Sequence, residues 1–337
     1  MAPPSKSCPD GTEDPSISLL CWRNRLLLLI LLSSISSASW AVSAQELLAA
    51  GRVDEAITKL QQETSGPAAT AESLNLLCRA YFMIDEWDRG IPNCERARNL
   101  DPKSSLYELW LGRIYGEKAD RVGFFSAAGL AKKVRNAFER AVELDPNSAA
   151  ARTDLGEFDA EAPGIIGGGK DKARAQAEAL MSINPERAHW LLARIAEKSS
   201  DPAGAEREYR AAISASRSEA RSWQDLAGFL FHQHRIDEME QAIHNLESSH
   251  VEHPEALMYA GGLLLRAGRD FPLAMRLLRR YLATPVEDAP AFKAHELLGQ
   301  LLEKQGDRAA AAAEFRAALA LFHNYARAQE DLRRVEP

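Results

Sequence analysis

The chain has 337 residues, of which 46% are hydrophobic, 26% charged and 7% aromatic. That balance excludes a disordered or collagen-like chain and suits helices packed through small side chains. The formal net charge of −7 argues against nucleic acid as the main partner.

The first element in chain order is a targeting segment. Arg23 and Arg25 precede a solid apolar run, Leu26 to Leu32, and a Ser- and Ala-rich stretch ends in Val42-Ser43-Ala44. A positive flank, a short apolar core and a small-residue exit predict a secretory signal over 1–44, cleaved after Ala44. The run is short and diluted by serine for a membrane span. A membrane connection is therefore expected only through an uncleaved signal. Cys78 and Cys94 are the cysteines that remain after cleavage.

From 45 to 325 the apolar pattern is helical and it recurs. LLAAGRVDEAITKL is a short opening hairpin. LNLLCRAYFMIDEWDRGIPNCERARNLDP then places Cys78, Tyr81, Gly90, Cys94, Ala97 and Pro102 in a frame that returns downstream. Gly112, Tyr115, Phe138, Ala141 and Pro146 occupy it in the next copy, and Gly156, Ala173 and Pro185 in the one after. The sharpest copy is the last, ELLGQLLEKQGDRAAAAAEFRAALALF. There Leu298, Gly299 and Leu302 face Ala311, Phe315 and Ala318 across a Gly306-Asp307 turn. ARAQEDLRRV, within 326–337, fits a polar capping helix. The LDP and INP tripeptides are expected to close second helices, because proline cannot continue one.

This frame resembles the tetratricopeptide repeat, a helix–turn–helix of about 34 residues. The resemblance implies an all-α, right-handed superhelical solenoid of about seven to eight antiparallel helix pairs. No single hairpin buries its own apolar face, so such repeats fold by stacking.

Two copies exceed the period. Pro102 and Pro146 are 44 residues apart, and Pro146 and Pro185 are 39 apart. The extra residues are expected between the two helices of each pair, near 116–130 and 161–169. The second insertion reads APGIIGGGKDK and contains Gly164-x-x-x-x-Gly169-Lys170, the opening of a phosphate-binding loop. Such a loop needs a strand before it and a hydroxyl after the lysine. Here a helix precedes it and Asp171 follows, so the run is expected to widen a turn. Both enlarged turns fall on one edge of the solenoid. Phe124 and Phe125 are therefore predicted to pack near Ile165 and Ile166 as one apolar lobe. The two insertions together resemble a subgroup of exported bacterial tetratricopeptide proteins.

The inner wall of the solenoid is formed by first helices. By repeat position it carries Arg79, Phe82, Arg113, Trp190, Arg194, Phe231 and Arg266, among acids such as Glu157 and Glu197. Recurrent arginine can grip carboxylates in bidentate fashion. The lysine/asparagine carboxylate clamp of chaperone-binding relatives is not reproduced, since Asn75 and Arg79 stand at those positions. A plain solvated wall is the competing expectation.

Cys78 lies eight residues before Glu86 at the turn, and Cys94 eight after it. Antiparallel helices then set them at one height. They form either a disulfide, which needs Cα atoms about 4.4–6.8 Å apart, or two buried thiols in alanine-like positions. His232, His234, His244, His250 and His253 cluster in sequence, but their spacing does not converge on one point as a metal site requires. No HExxH, GxSxG or paired CxxC occurs.

Together these features lead us to expect an exported protein of the bacterial periplasm or cell envelope that binds a protein or peptide. We expect no enzyme activity, no cofactor and no metal. A membrane-associated envelope-assembly component, or an enzyme built on the enlarged loops, are the alternatives.

Overall fold

A computed structural model describes residues 42–285 and 290–336, without the side chains of Phe124 and Phe125. Among the described residues there are seventeen α-helices and no strand. They run as hairpins: α1 (Ala44–Ala49) with α2 (Val53–Thr64), α3 (Ala71–Met83) with α4 (Trp87–Leu100), α5 (Ser105–Ala119) with α6 (Phe124–Leu144), and α7 (Ala149–Glu161) with α8 (Lys170–Leu180). The series continues with α9 (Pro185–Glu197) and α10 (Pro202–Ala215), α11 (Ala220–His232) and α12 (Ile236–Glu247), α13 (Glu255–Ala267) and α14 (Phe271–Leu282), and α15 (Ala291–Lys304) and α16 (Arg308–Leu321). Helix α17 (Ala326–Val335) ends the stack. No described helix is long and apolar enough to cross a membrane.

Local sequence sets the helix starts. Ser43 accepts from the Glu46 N–H while Glu46 reaches back to the Ser43 N–H, a reciprocal cap on α1. Asn184, Asp201, Asp270 and Asp307 each accept a backbone N–H at the start of α9, α10, α14 and α16. Pro185 departs from expectation: it opens α9 as its first residue, where its missing N–H costs nothing. Pro102 and Pro146 do lie just beyond second helices, α4 and α6.

Small residues let paired helices approach. Phe138 of α6 packs on Gly112 of α5, and Phe315 of α16 on Gly299 of α15. Cys78 of α3 and Cys94 of α4 are fully buried and disulfide-bonded, with Cα atoms 5.4 Å apart.

The two ends of the solenoid meet. Leu47, Leu48, Ile57, Leu60 and Met83 share one buried cluster with Phe292, Phe322 and Tyr325. The three distal rings are themselves in contact, Phe292 lying 4.7 Å from Tyr325 between centroids. At the rim the Asp54 carboxylate accepts from the His323 N–H at 2.7 Å, and Lys293 lies 3.6 Å from Asp85. Gly51 has φ +73°, and a Cβ there would stand 2.6 Å from that of Ala291.

The first insertion differs from expectation. Its residues do not widen a turn; they lengthen α6 to 21 residues, beginning at Phe124. Good helix formers such as Ala127, Ala128 and Ala131 simply continue the helix toward its N-terminus. The side chains of Phe124 and Phe125 lie outside the described residues, so their packing near Ile165 and Ile166 is not described either. The second insertion is a turn, with a short 3-10 segment over Gly164–Ile166.

Two outcomes check this packing. Gly51→Val should cost about 2–3 kcal/mol by strain and overpacking. Hydrogen exchange should then quicken in α1–α3 and α15–α17 and stay unchanged in α9–α12. Replacing both Cys78 and Cys94 by alanine should lower unfolding stability by about 2–3 kcal/mol in urea titrations. Reductant should give no further loss in that variant.

Candidate functional site

First helices α3, α5, α7 and α9 line the inner wall of this part of the solenoid, and their side chains are tied together. Phe82 meets the Trp110 ring edge-on at 5.5 Å. The guanidiniums of Arg79 and Arg113 lie 5.0 and 4.8 Å from the same ring, a favourable placement of cations over a π face. Arg113 Nε also donates to Asp154 of α7 at 2.6 Å. Arg194 of α9 donates to Glu161 at 2.8 Å and to Glu197 at 3.0 Å.

Beside this ladder is a cavity of about 890 Å³. Phe82, Trp110, Arg113 and Arg194 line it from the wall. Ala127, Ala128 and Ala131 of lengthened α6 form one side, and Pro163, Ile165 and Ile166 of the glycine turn form another. Ile165 is 91% exposed, far more than a core isoleucine. Both enlarged hairpins therefore contribute walls to a single concave site.

The other expected groove residues lie elsewhere. Trp190 is buried rather than open to the groove, in the cluster that includes Ala188 and Leu191. The Arg187 guanidinium covers its ring at 4.0 Å. Phe231 and Arg266 stack on each other at 5.3 Å, between α11 and α13 and outside the cavity. The arginines are largely engaged within the protein, so Arg113→Glu would set a carboxylate against Asp154 and disturb the wall itself. Sequence reasoning missed Trp110, Asp154 and the alanines of α6. The spacing Trp110-x-x-Arg113 and the Ala127/Ala131 repeat along a helix were the available signals.

The glycine run spends its backbone donors internally. The Ile166, Gly167 and Gly168 N–H groups donate to Pro163, Gly164 and Pro163 carbonyls, and the Gly169 N–H to Asp159 at 2.7 Å. These four N–H groups therefore do not point outward to wrap a phosphate, as the glycines of a nucleotide loop do. Gly168 is compelled by close approach: a Cβ there would stand 2.0 Å from the Ala162 carbonyl oxygen.

Among the described residues, one group could meet on an ion: Glu240, His244 and Asp270. The Arg269 guanidinium already holds Glu240 at 2.7 Å, and Asp270 caps the Leu273 N–H at 3.0 Å. His244 and Glu240 are one turn apart, a spacing that sequence reading could have tested.

The architecture defines a helical-hairpin solenoid with a concave site. Comparison with known proteins agrees. The tetratricopeptide repeat pattern matches residues 259–326. Yeast Tom70 superimposes with a TM-score of 0.53 at 14% identity, over 96% of this chain and 74% of Tom70. A thermophilic TPR protein of Thermus thermophilus has a TM-score of 0.47 at 17% identity, over 56% and 95%. A tetratricopeptide repeat protein of Parabacteroides merdae gives 0.42 at 14%, over 87% and 95%. No curated protein matches the sequence. The chain thus carries the tetratricopeptide repeat pattern over residues 259–326 and has an all-α solenoid fold of that type, one that in general serves protein–protein interaction.

Beneath the glycine turn Asp159 is buried, and burial raises its carboxyl from the ordinary 3.8 to about 6. The folded protein thus keeps this proton up to about pH 6, while the unfolded chain releases it near pH 4. The stability it contributes is full below about pH 4 and is lost as pH rises through 6. Asp159→Asn should match the wild type near pH 4 and exceed it at pH 7 by on the order of 2 kcal/mol in denaturant titrations. A difference that does not change with pH would show that folding leaves the Asp159 carboxyl unshifted.

Proposed function

We propose that this protein is an extracytoplasmic scaffold that binds a protein or peptide partner through the cavity between α5, α6, α7 and the glycine turn. The observation that carries the reading is that both departures from the repeat period wall the same concave cavity. Repeat packing alone needs neither insertion, and Ile165, at the edge of this cavity, is the most exposed of the large apolar residues among those described. Concave, largely apolar sites with a few fixed polar groups are the usual form of a ligand site.

Export is part of the proposal. It rests on the Arg23–Ala44 signal pattern and is supported by the disulfide between α3 and α4, a bond kept in oxidising compartments. One detail concerns the cleavage point. A cut after Ala44 would remove Ser43, the N-cap of α1, and Ala44, which is buried. Losing such a cap costs about 1 kcal/mol, a loss that falls on the shortest helix.

A photo-crosslinking residue at Ile165 tests the site in cells. Position 165 should give discrete crosslinked partners, and Leu100, an exposed apolar residue on α4, should not. Ile165→Asp should abolish partner capture with no measurable change in unfolding stability, because the side chain is exposed. Equal crosslinking at the two positions would remove the cavity from the reading.

A further inference from the structure

The cavity carries more negative charge than its arginines cancel. Five carboxylates line it, Glu117, Asp120, Asp154, Glu157 and Glu161, against two guanidiniums, Arg113 and Arg194. Asp154 is held by Arg113 at 2.6 Å and Glu161 by Arg194 at 2.8 Å. Glu161 is further paired with Lys198. Glu117, Asp120 and Glu157 make no ion pair among the described residues. They face the same space as Phe158, Ile165 and Ile166. The site therefore joins an apolar surface to uncompensated acid.

We propose that the cavity takes a segment of another protein that presents a large apolar side chain beside lysine or arginine. The apolar group seats against Phe158 and the isoleucines of the glycine turn, and the cation faces Glu117 and Glu157. This rests on the cavity being the partner site and adds the chemistry of the partner.

The electrostatic setting agrees. Burial raises the Glu117 carboxyl, and Asp120 and Asp85 raise it further against Arg121 and Lys293. Burial also raises Glu157, with Asp154 and Glu161 adding to it and Arg194 and Arg187 opposing. An incoming cation relieves both carboxylates, whereas an incoming carboxylate meets the same repulsion. The arginines of the wall offset this preference only in part: Arg194 opposes the rise at Glu157, but Arg113 and Arg194 are also paired with Asp154, Glu161 and Glu197. Charge complementarity of this kind selects among partners more than it sets raw affinity.

Fluorescence anisotropy on the protein as purified from its producing cells tests the proposal. The probe is a short labelled peptide with one phenylalanine flanked by two arginines in a Gly/Ser spacer. Matched peptides carry Arg→Gln, Arg→Glu or Phe→Ser. The arginine peptide should bind about tenfold or more tightly than the glutamate and the serine peptides. Raising NaCl from about 0.05 to 0.5 M should weaken it several-fold. Glu117→Gln with Glu157→Gln should cost about fivefold for the arginine peptide and leave the glutamine peptide within about twofold.

Equal binding of the arginine and glutamate peptides overturns the proposal, as does a double variant that folds normally and binds unchanged. If that variant does not fold, the salt series on the wild type decides, and a flat response overturns the proposal. Ile165→Asp separates the two levels. If the wild type binds the arginine and glutamate peptides alike and Ile165→Asp abolishes both, the cavity stands as the site and only the basic preference fails. If Ile165→Asp leaves both peptide binding and native partner capture intact, the cavity itself fails.

Discussion

A helical hairpin has an apolar face that it cannot cover alone, and every level of this structure follows from how that face is covered. In the middle of the chain each hairpin is covered by its neighbours, so α9–α14 form one continuous buried cluster. At the ends of a solenoid there is no neighbour, and the usual solution is a polar outer helix. This chain uses a further one. The face of α1–α3 is covered by Phe292, Phe322 and Tyr325 from the far end. Hydrophobic closure of this kind is non-directional and grows with buried area. The polar contacts at the rim, Asp54 with His323 and Asp85 with Lys293, set its register rather than its strength.

Closure changes what the concave wall can be. A wall that folds round on itself brings side chains from distant helices into one field, which is how Glu117 of α5 comes to feel Lys293 of α15. Charges there lose solvent on several sides, and an unpaired one is costly. The protein answers with cross-helix pairs along consecutive first helices. Arg113 pairs with Asp154, Arg194 with Glu161, and Arg187 with Asp225, at 2.6, 2.8 and 3.3 Å. Recurrent arginine on this face is therefore first a device for stitching helices together. Under the proposed function, recognition falls to the groups that the stitching does not use.

The sequence made the hairpins legible because small residues and turn residues recur at fixed offsets, and local periodicity is what a solenoid is built from. Gly112 under Phe138 and Gly299 under Phe315 are that pattern in space. The placing of Cys78 and Cys94 at one height followed from counting outward from a turn. What could not be read depends on contacts far apart in the chain. Nothing near Gly51 announces Ala291, and nothing near Asp54 announces His323. Trp190 was misplaced for a related reason: a repeat frame says which side of a helix a residue leaves from, not how far neighbours rise to cover it. The first insertion was misread because extra residues between two helices look alike whether they loop out or extend a helix. Only the helix-forming alanines at 127, 128 and 131 could have distinguished the two.

The glycine run shows how the same residues serve two different ends. In a nucleotide loop, glycines free the backbone N–H groups to converge on phosphate oxygens. Here the chain leaves α7 and passes through a 3-10 turn. It returns the Gly169 N–H to the Asp159 carbonyl before α8 begins, so the donors close the turn on itself. Arg135 of α6 lies against Gly167, which has φ +99°, and the Lys172 ammonium donates to the Gly167 carbonyl at 2.6 Å. The turn is thus anchored to α6, the helix that the first insertion lengthened. A turn that closes its glycine donors on itself can hold side chains out at a fixed angle. Ile165 and Ile166 are the side chains it holds, at the rim of a cavity whose opposite side is the extended part of α6. The two insertions are therefore one construction, in which a lengthened helix and a glycine turn brace each other around a shared space.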